Sequence, residues 1–62
     1  MTKEEIKNKM QVGDFNTLGA MLGCGGDAAR KRFNRNDDDA IAYAEKIIKA
    51  REELIRESQT NN

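Results

Sequence analysis

The residues with the clearest chemical potential form a cluster of cations near the middle of the chain. Between Asp27 and Arg35 the sequence has one negative side chain and four positive ones, which are Arg30, Lys31, Arg32 and Arg35. Such side chains bind polyanions, because their N–H groups donate charge-assisted hydrogen bonds to phosphate oxygens. The cluster therefore indicates a phosphate-rich partner, or else a basic helix face that is only solvated.

The other reactive side chains offer neither a catalytic nor a metal site. The chain has no histidine and a single cysteine, Cys24, which excludes a Ser–His or Cys–His pair and the usual zinc sites. The triplet Asp37–Asp39 lacks the spacing of a calcium loop, and the GCGG segment at 23–26 lacks the Lys-Ser/Thr of a phosphate loop. We therefore expect no enzymatic activity, no cofactor and no metal.

Charge is unevenly distributed along the 62 residues. Residues 1–36 carry 7 basic and 4 acidic side chains, a net charge of +3, whereas residues 37–62 carry 4 basic and 7 acidic side chains, a net charge of −3. Hydrophobic residues make up 37% of the chain, which fits one small folded domain rather than a disordered chain. So few apolar residues barely offset the entropy lost on folding, and a partner is expected to help.

The sequence shows no signal for export or for membrane insertion. One cysteine cannot form an internal disulfide, and the segment MTKEEIKNK has no apolar stretch of the kind found in signal peptides. The longest apolar run covers residues 40–44, far short of a membrane span. We therefore expect a cytoplasmic protein without membrane contact.

Three short helices are predicted in the first half of the chain. Thr2 and Glu5 have the spacing of a capping box, which predicts a helix start at the N-terminus. Asp14 is expected to cap a second helix over residues 15–22, and the glycines that follow end it. A third helix is predicted over residues 27–34, with the cation cluster on it.

A longer helix is predicted in the second half. Asn36 tolerates a left-handed conformation, and the carboxylates of Asp37–Asp39 suit the positive end of a helix dipole. The helix should run over about residues 38–58, with residues 59–62 as a frayed tail. Since no segment alternates as a strand does, the predicted fold class is all-α, with a single domain over residues 1–58.

Residues 18–35, LGAMLGCGGDAARKRFNR, resemble the helix-turn-helix of sigma-factor region four and of small phage or mobile-element regulators. Leu22, Gly23 and Cys24 match the end of the first helix and its turn. The basic run with its inward residues is matched by Ala29, Arg30, Arg32, Phe33 and Arg35. The turn serine of that family is replaced by Gly25, which removes a capping side chain. The resemblance implies a helix-turn-helix over about residues 15–35 that binds duplex DNA.

A helical projection gives each residue of the third helix a role in this interpretation. With Ala29 and Phe33 facing inward, the outward positions are Asp27, Lys31, Asn34 and Arg35, and Arg30 and Arg32 lie on the flanks. Lys31 and Asn34 would then face base edges, and Arg30 a guanine or a phosphate. Arg32 and Arg35 would contact phosphates. The predicted nucleic-acid-binding residues are therefore Arg30, Lys31, Arg32, Asn34 and Arg35.

The long helix has apolar residues beyond the reach of the short helices. Ile41, Ile48 and Ile55 recur every seven residues, and Ala40, Ile47 and Leu54 form the neighbouring row. Arg51 interrupts this seam, so a long coiled coil is not expected. The far end should remain exposed in a single copy, and we expect Ile48, Leu54 and Ile55 to form a homodimer interface.

These observations favour a small non-enzymatic regulator, most simply of transcription, that binds double-stranded DNA as a homodimer. The alternative is a phage-type protein–protein adaptor that binds the host transcription or defence machinery through its C-terminal helix. A weaker third possibility is a structural helical component of a larger assembly.

Overall fold

A computed structural model describes residues 1–60, which form four helices and contain no strand. The helices are α1 (Lys3–Lys9), α2 (Asp14–Leu22), α3 (Gly26–Asn34) and α4 (Asp38–Thr60). The molecule measures 40 × 22 × 17 Å, and α4, at about 1.5 Å per residue, accounts for most of the long dimension. The all-α fold with a long C-terminal helix is confirmed.

The starts of α1 and α2 are set by different devices. Thr2 caps α1 as predicted, since its Oγ1 accepts a hydrogen bond of 3.2 Å from the Glu5 N–H. The cap of α2 is Gly13, in the left-handed region at φ +93°, rather than Asp14. Asp14 Oδ2 instead accepts from the Gln11 N–H at 2.7 Å and so closes the turn that precedes the helix. A glycine adopts this backbone conformation without steric cost, which is why it takes the cap position.

The link between α3 and α4 forms as the sequence indicates. Asn36 adopts a left-handed conformation at φ +64°. Asp37 Oδ1 then accepts from the Ala40 N–H at 3.1 Å, the geometry of a side-chain N-cap. The helix continues to Thr60, two residues beyond its predicted end. Of the predicted tail, residues 61 and 62 lie outside the described part of the chain.

One apolar core joins the four helices. Phe33 is the largest fully buried side chain, and α4 contacts each of the three short helices. The buried apolar residues are Ile6, Leu18, Ala29, Phe33, Ala40, Ala44 and Ile48. Small alanines on α4 let the short helices approach it closely, while Phe33 and the longer aliphatic side chains fill the space between them.

Two ion pairs hold the middle of α4 against the first half of the chain. Arg51 donates from both terminal nitrogens to Asp14 Oδ2, at 3.0 and 2.8 Å. Lys9 Nζ lies 2.9 Å from Glu52 Oε2. Arg51 interrupts the apolar seam in the sequence. Its position is explained by its ion pair with Asp14, which lies 37 positions away along the chain.

Candidate nucleic-acid interface

The turn between α2 and α3 is built around a very close backbone approach. A Cβ on Gly19 would lie 2.6 Å from the carbonyl oxygen of Cys24 and 2.8 Å from the carbonyl carbon of Gly25. Gly23, the C-cap of α2, has φ +76°, and the Cys24 N–H donates to the Gly19 carbonyl at 2.8 Å. Two glycines thus let the chain reverse tightly, and α2 packs more extensively on α3 than on α4.

The rotation of α3 about its axis is fixed by its buried side. Ala29 and Phe33 are fully buried, as predicted from their spacing. The Phe33 ring meets the Phe15 ring of α2 edge to face, with 6.0 Å between the ring centroids. Because this contact and the core hold one face of α3, the opposite face must point to solvent.

The solvent face of α3 brings together most of the predicted site residues. Arg30, Lys31, Asn34 and Arg35 are exposed. Lys31, Asn34 and Arg35 line a shallow depression together with Ala28 and Arg32, and we call these five residues the α3 face. Arg30 flanks it, with a guanidinium nitrogen 3.6 Å from Asp27 Oδ1. Both members of this pair are largely exposed, so it contributes little and Arg30 remains accessible to a ligand.

Arg32 differs from the other cations, because it binds a carboxylate of its own chain. Its Nε donates to Asp37 Oδ2 at 3.1 Å and a terminal nitrogen reaches Asp37 Oδ1 at 3.5 Å. The side chains are only 29% and 30% exposed. The hydrogen bond to Asp37 raises the pKa of Arg32 above its ordinary value. The structure therefore ties Arg32 to the start of α4, and leaves Arg30, Lys31 and Arg35 as the accessible cations of this region.

Asp37 has a structural role at the same junction. Its pKa lies below the ordinary value, first because it accepts the Ala40 N–H and second because Arg32 donates to it. One carboxylate thus caps α4 and holds a guanidinium of α3.

Among the described residues, no three His, Cys, Asp or Glu side chains are grouped so that they could hold a metal ion.

Lys3 adds a cation to this region that sequence reasoning missed. Its Nζ donates to the Asn36 side-chain oxygen at 2.7 Å and to the Asn34 carbonyl at 3.2 Å, and it lies 5.6 Å from the centre of the Phe33 ring. Lys3 therefore stabilises the C-terminal end of α3, where carbonyl groups lack partners. No local pattern could reveal these hydrogen bonds, since Asn34 and Asn36 lie 31 and 33 positions from Lys3 in the sequence.

The predicted dimer residues fall into two environments. Ile48 is 1% exposed and packs in the core of its own copy, at the bottom of the groove between the end of α1 and α4. Leu54 and Ile55 are 67% and 52% exposed, as expected for the far end of the helix. Ile55 borders the same groove, whereas Leu54 does not line it.

Comparison of this chain with protein-family models, with curated proteins and with solved structures found no match. No helix in the described part of the chain has both the length and the apolar character needed to cross a membrane.

Proposed function

We propose that this protein is a small, non-enzymatic DNA-binding regulator that acts in the cytoplasm as a homodimer. The observation that supports the proposal most directly is the α3 face, where exposed Lys31, Asn34 and Arg35 lie opposite a buried Ala29 and Phe33. A short helix that follows a tight glycine turn and presents cations can enter the major groove of duplex DNA.

The residues divide naturally between base and phosphate contacts. Lys31 and Asn34 are exposed within α3, and in this proposal they contact base edges in the groove. Arg30, which pairs with Asp27 near the start of α3, and Arg35, the C-cap residue of α3, are assigned to the phosphates of the groove walls. Arg32 supports α3 through Asp37 and is not counted among the ligand-binding cations.

Salt dependence of binding tests the proposal. The two accessible cations placed at phosphates, Arg30 and Arg35, predict a slope of log affinity against log salt of about −1.8 for each copy, since each neutralised phosphate contributes about 0.9. Fluorescence anisotropy with a labelled random-sequence duplex at several salt concentrations measures this slope. Failure of the folded protein to bind duplex at low salt would exclude the proposed function.

Charge-removal variants test the site itself. Arg35→Ala should weaken binding to every duplex and reduce the magnitude of the slope by about 0.9, because it removes one phosphate-neutralising charge, whereas Lys31→Ala should weaken binding mainly to a preferred sequence, because it removes a base contact. Lys49→Ala is the matched control, since Lys49 is an exposed α4 lysine that pairs with Glu45 at 2.7 Å. An equal loss of affinity in the control would show that net charge, and not the α3 face, governs binding.

A protein–protein adaptor is the second candidate, favoured by the exposed Leu54 and Ile55 at the end of α4. Contiguous exposed apolar patches mark interaction sites, whereas apolar side chains that are exposed singly do not. This candidate predicts that Lys31→Glu with Arg35→Glu leaves binding to the partner protein unchanged, whereas the regulator loses DNA binding.

A further inference from the structure

Helix α4 has a second apolar row beside its buried one, and the first two members of this second row, Tyr43 and Ile47, are half-buried at the edge of the core. Tyr43, Ile47, Ala50 and Leu54 are spaced by four, three and four residues, and we call them the outer stripe. The inward row of the same helix is formed by Ala40, Ala44 and Ile48, which are fully buried. Along the outer stripe, exposure rises from half-buried Tyr43 and Ile47 to exposed Ala50 and Leu54.

This spacing is that of the a and d positions of a coiled coil, with Ile47 and Leu54 at a and Tyr43 and Ala50 at d. We propose that the outer stripe binds the outer stripe of a second copy of this chain, with the two α4 helices antiparallel. The inference deepens the dimer part of the proposed function, and replaces Ile48 and Ile55 by Tyr43, Ile47 and Ala50 as the residues that join Leu54.

The stripe is complementary to itself in a single antiparallel register. When Tyr43 lies opposite Leu54 of the second copy, Ile47 lies opposite Ala50 of that copy, and both pairs recur by symmetry. Each large side chain at an a position thus faces a d position, with Ala50 leaving room for Ile47. A two-fold axis near the middle of the stripe relates the copies, as an isologous interface requires.

The charged residues beside the stripe select the antiparallel orientation. Lys46 and Glu53 immediately precede the two a positions, and an antiparallel pair places Lys46 beside Glu53 of the second copy. In a parallel pair Lys46 would instead lie beside Arg51 of the second copy, and the two positive charges would repel each other. Arg51 also already binds Asp14 in its own copy. The opposite charges of Lys46 and Glu53 therefore favour a second copy of this chain as the partner that binds the outer stripe.

Both residues are available for this exchange. Lys46 lies 5.2 Å from the centre of the Tyr43 ring, so it is already placed along the edge of the stripe. Glu53 contacts Arg56 within the helix, but both side chains are more than half exposed and such a pair is readily exchanged. A single helical stripe is smaller than the roughly 800 Å² per partner of a stable interface, so association should be weak and concentration-dependent.

Reversal of the two charges provides the test, made on the full chain in the absence of DNA. Sedimentation equilibrium from about 10 µM to about 1 mM should show the mass rising from 7.0 kDa toward twice that value. Lys46→Glu alone and Glu53→Lys alone should each weaken self-association about tenfold, since like charges then face each other. An equimolar mixture of the two variants should associate again, because every facing pair is opposite in sign.

A second pair of variants separates the outer stripe from the groove side of the helix. Leu54→Asp should weaken association about tenfold or more, whereas Ile55→Asp, the matched control, should leave it nearly unchanged. Circular dichroism on each variant confirms that the exposed substitution leaves the fold intact.

Several results would overturn the inference. If the protein remains monomeric throughout the concentration range, the outer stripe does not bind a second copy. If Leu54→Asp and Ile55→Asp weaken self-association equally, the outer stripe is not the interface. Failure of the charge-reversed mixture to associate excludes the antiparallel register. None of these outcomes depends on DNA binding, so failure of the dimer and failure of the α3 face are observed separately.

Discussion

At the scale of single residues, the cation cluster of α3 is divided by one carboxylate. Asp37 accepts from Arg32 and from the Ala40 N–H, so a residue at the start of α4 decides which arginine of α3 is available. Arg35, only two positions from Asp37 in sequence, is exposed. The number of cations presented to a polyanion is therefore smaller than the number in the sequence.

Substitution of Asp37 by asparagine should release Arg32 while preserving the cap. Asparagine caps a helix about as well as aspartate, but it has no charge to hold a guanidinium. We expect Asp37→Asn to raise affinity for random duplex and to make the salt slope more negative by about 0.9, as one further phosphate contact is gained. Fluorescence anisotropy at several salt concentrations measures both effects.

Asp39→Asn is the control for this experiment. Asp39 is exposed in the first turn of α4, so its substitution removes the same charge without releasing an arginine. If both variants change the salt slope equally, the effect comes from the change in net charge, and Arg32 does not contribute a phosphate contact.

At the scale of elements, the α2–α3 pair depends on Gly19 rather than on any side chain of the turn. The atoms that a Cβ would meet there belong to the backbone of Cys24 and Gly25, which cannot move aside as a flexible side chain does. Gly19 was not singled out by sequence reasoning, because a glycine within a helix normally signals only a weaker helix.

Replacement of Gly19 by alanine should therefore destabilise the protein, although the same change stabilises an ordinary helix. We expect a loss of about 1–3 kcal/mol in the free energy of unfolding, the cost of overpacking a close contact. Gly25→Ser provides the comparison, since a Cβ at Gly25 meets nothing within 4 Å and a serine N-cap of α3 should add a few tenths of a kcal/mol. Thermal and urea unfolding followed by circular dichroism measure both changes, and a stabilising Gly19→Ala would contradict the close approach.

At the scale of the whole molecule, α4 is attached to the remainder through carboxylates as well as through the core. The pKa of Glu52 is lowered mainly by the hydrogen bond from Lys9 of α1. The pKa of Glu45 is lowered mainly within α4 itself, by the hydrogen bond from Lys49. The pKa of Asp37 is lowered first by its cap hydrogen bond from the Ala40 N–H and second by the hydrogen bond from Arg32. In each case the folded state favours the charged form.

The protein should therefore lose stability in acid. A carboxylate whose pKa is lowered in the folded state stabilises it fully above the ordinary value, which is 4.5 for glutamate and 3.8 for Asp37. That contribution disappears as the pH falls through the lowered folded values. We expect the melting temperature to decline below about pH 4.5 and to continue falling below about pH 3.8. Glu52→Gln should reduce this dependence, and an identical pH profile in that variant would show that the Lys9–Glu52 pair contributes nothing.

Much of the helical framework was predictable because it depends on local signals. The Thr2 cap, the left-handed Asn36 and the helix start at Asp37–Asp39 arise from residues within a few positions of one another. The inward positions of Ala29 and Phe33 follow from helical period. The preference of aspartate for the cap position predicts Asp14 as the cap of α2, and this prediction is wrong because Gly13 takes that position in a left-handed conformation while Asp14 binds Arg51.

Four helices, the buried side of α3 and the exposed end of α4 can be inferred from the amino-acid order alone, because helical hydrogen bonding and apolar period act over short distances along the chain. The packing of the helices is needed to show that Arg32 is held by Asp37, that Lys3 reaches the end of α3 and that Ile48 is buried in its own copy. Charge pairing and packing depend on distances in space, and residues as far apart as Lys3 and Asn36 become neighbours only when the helices assemble.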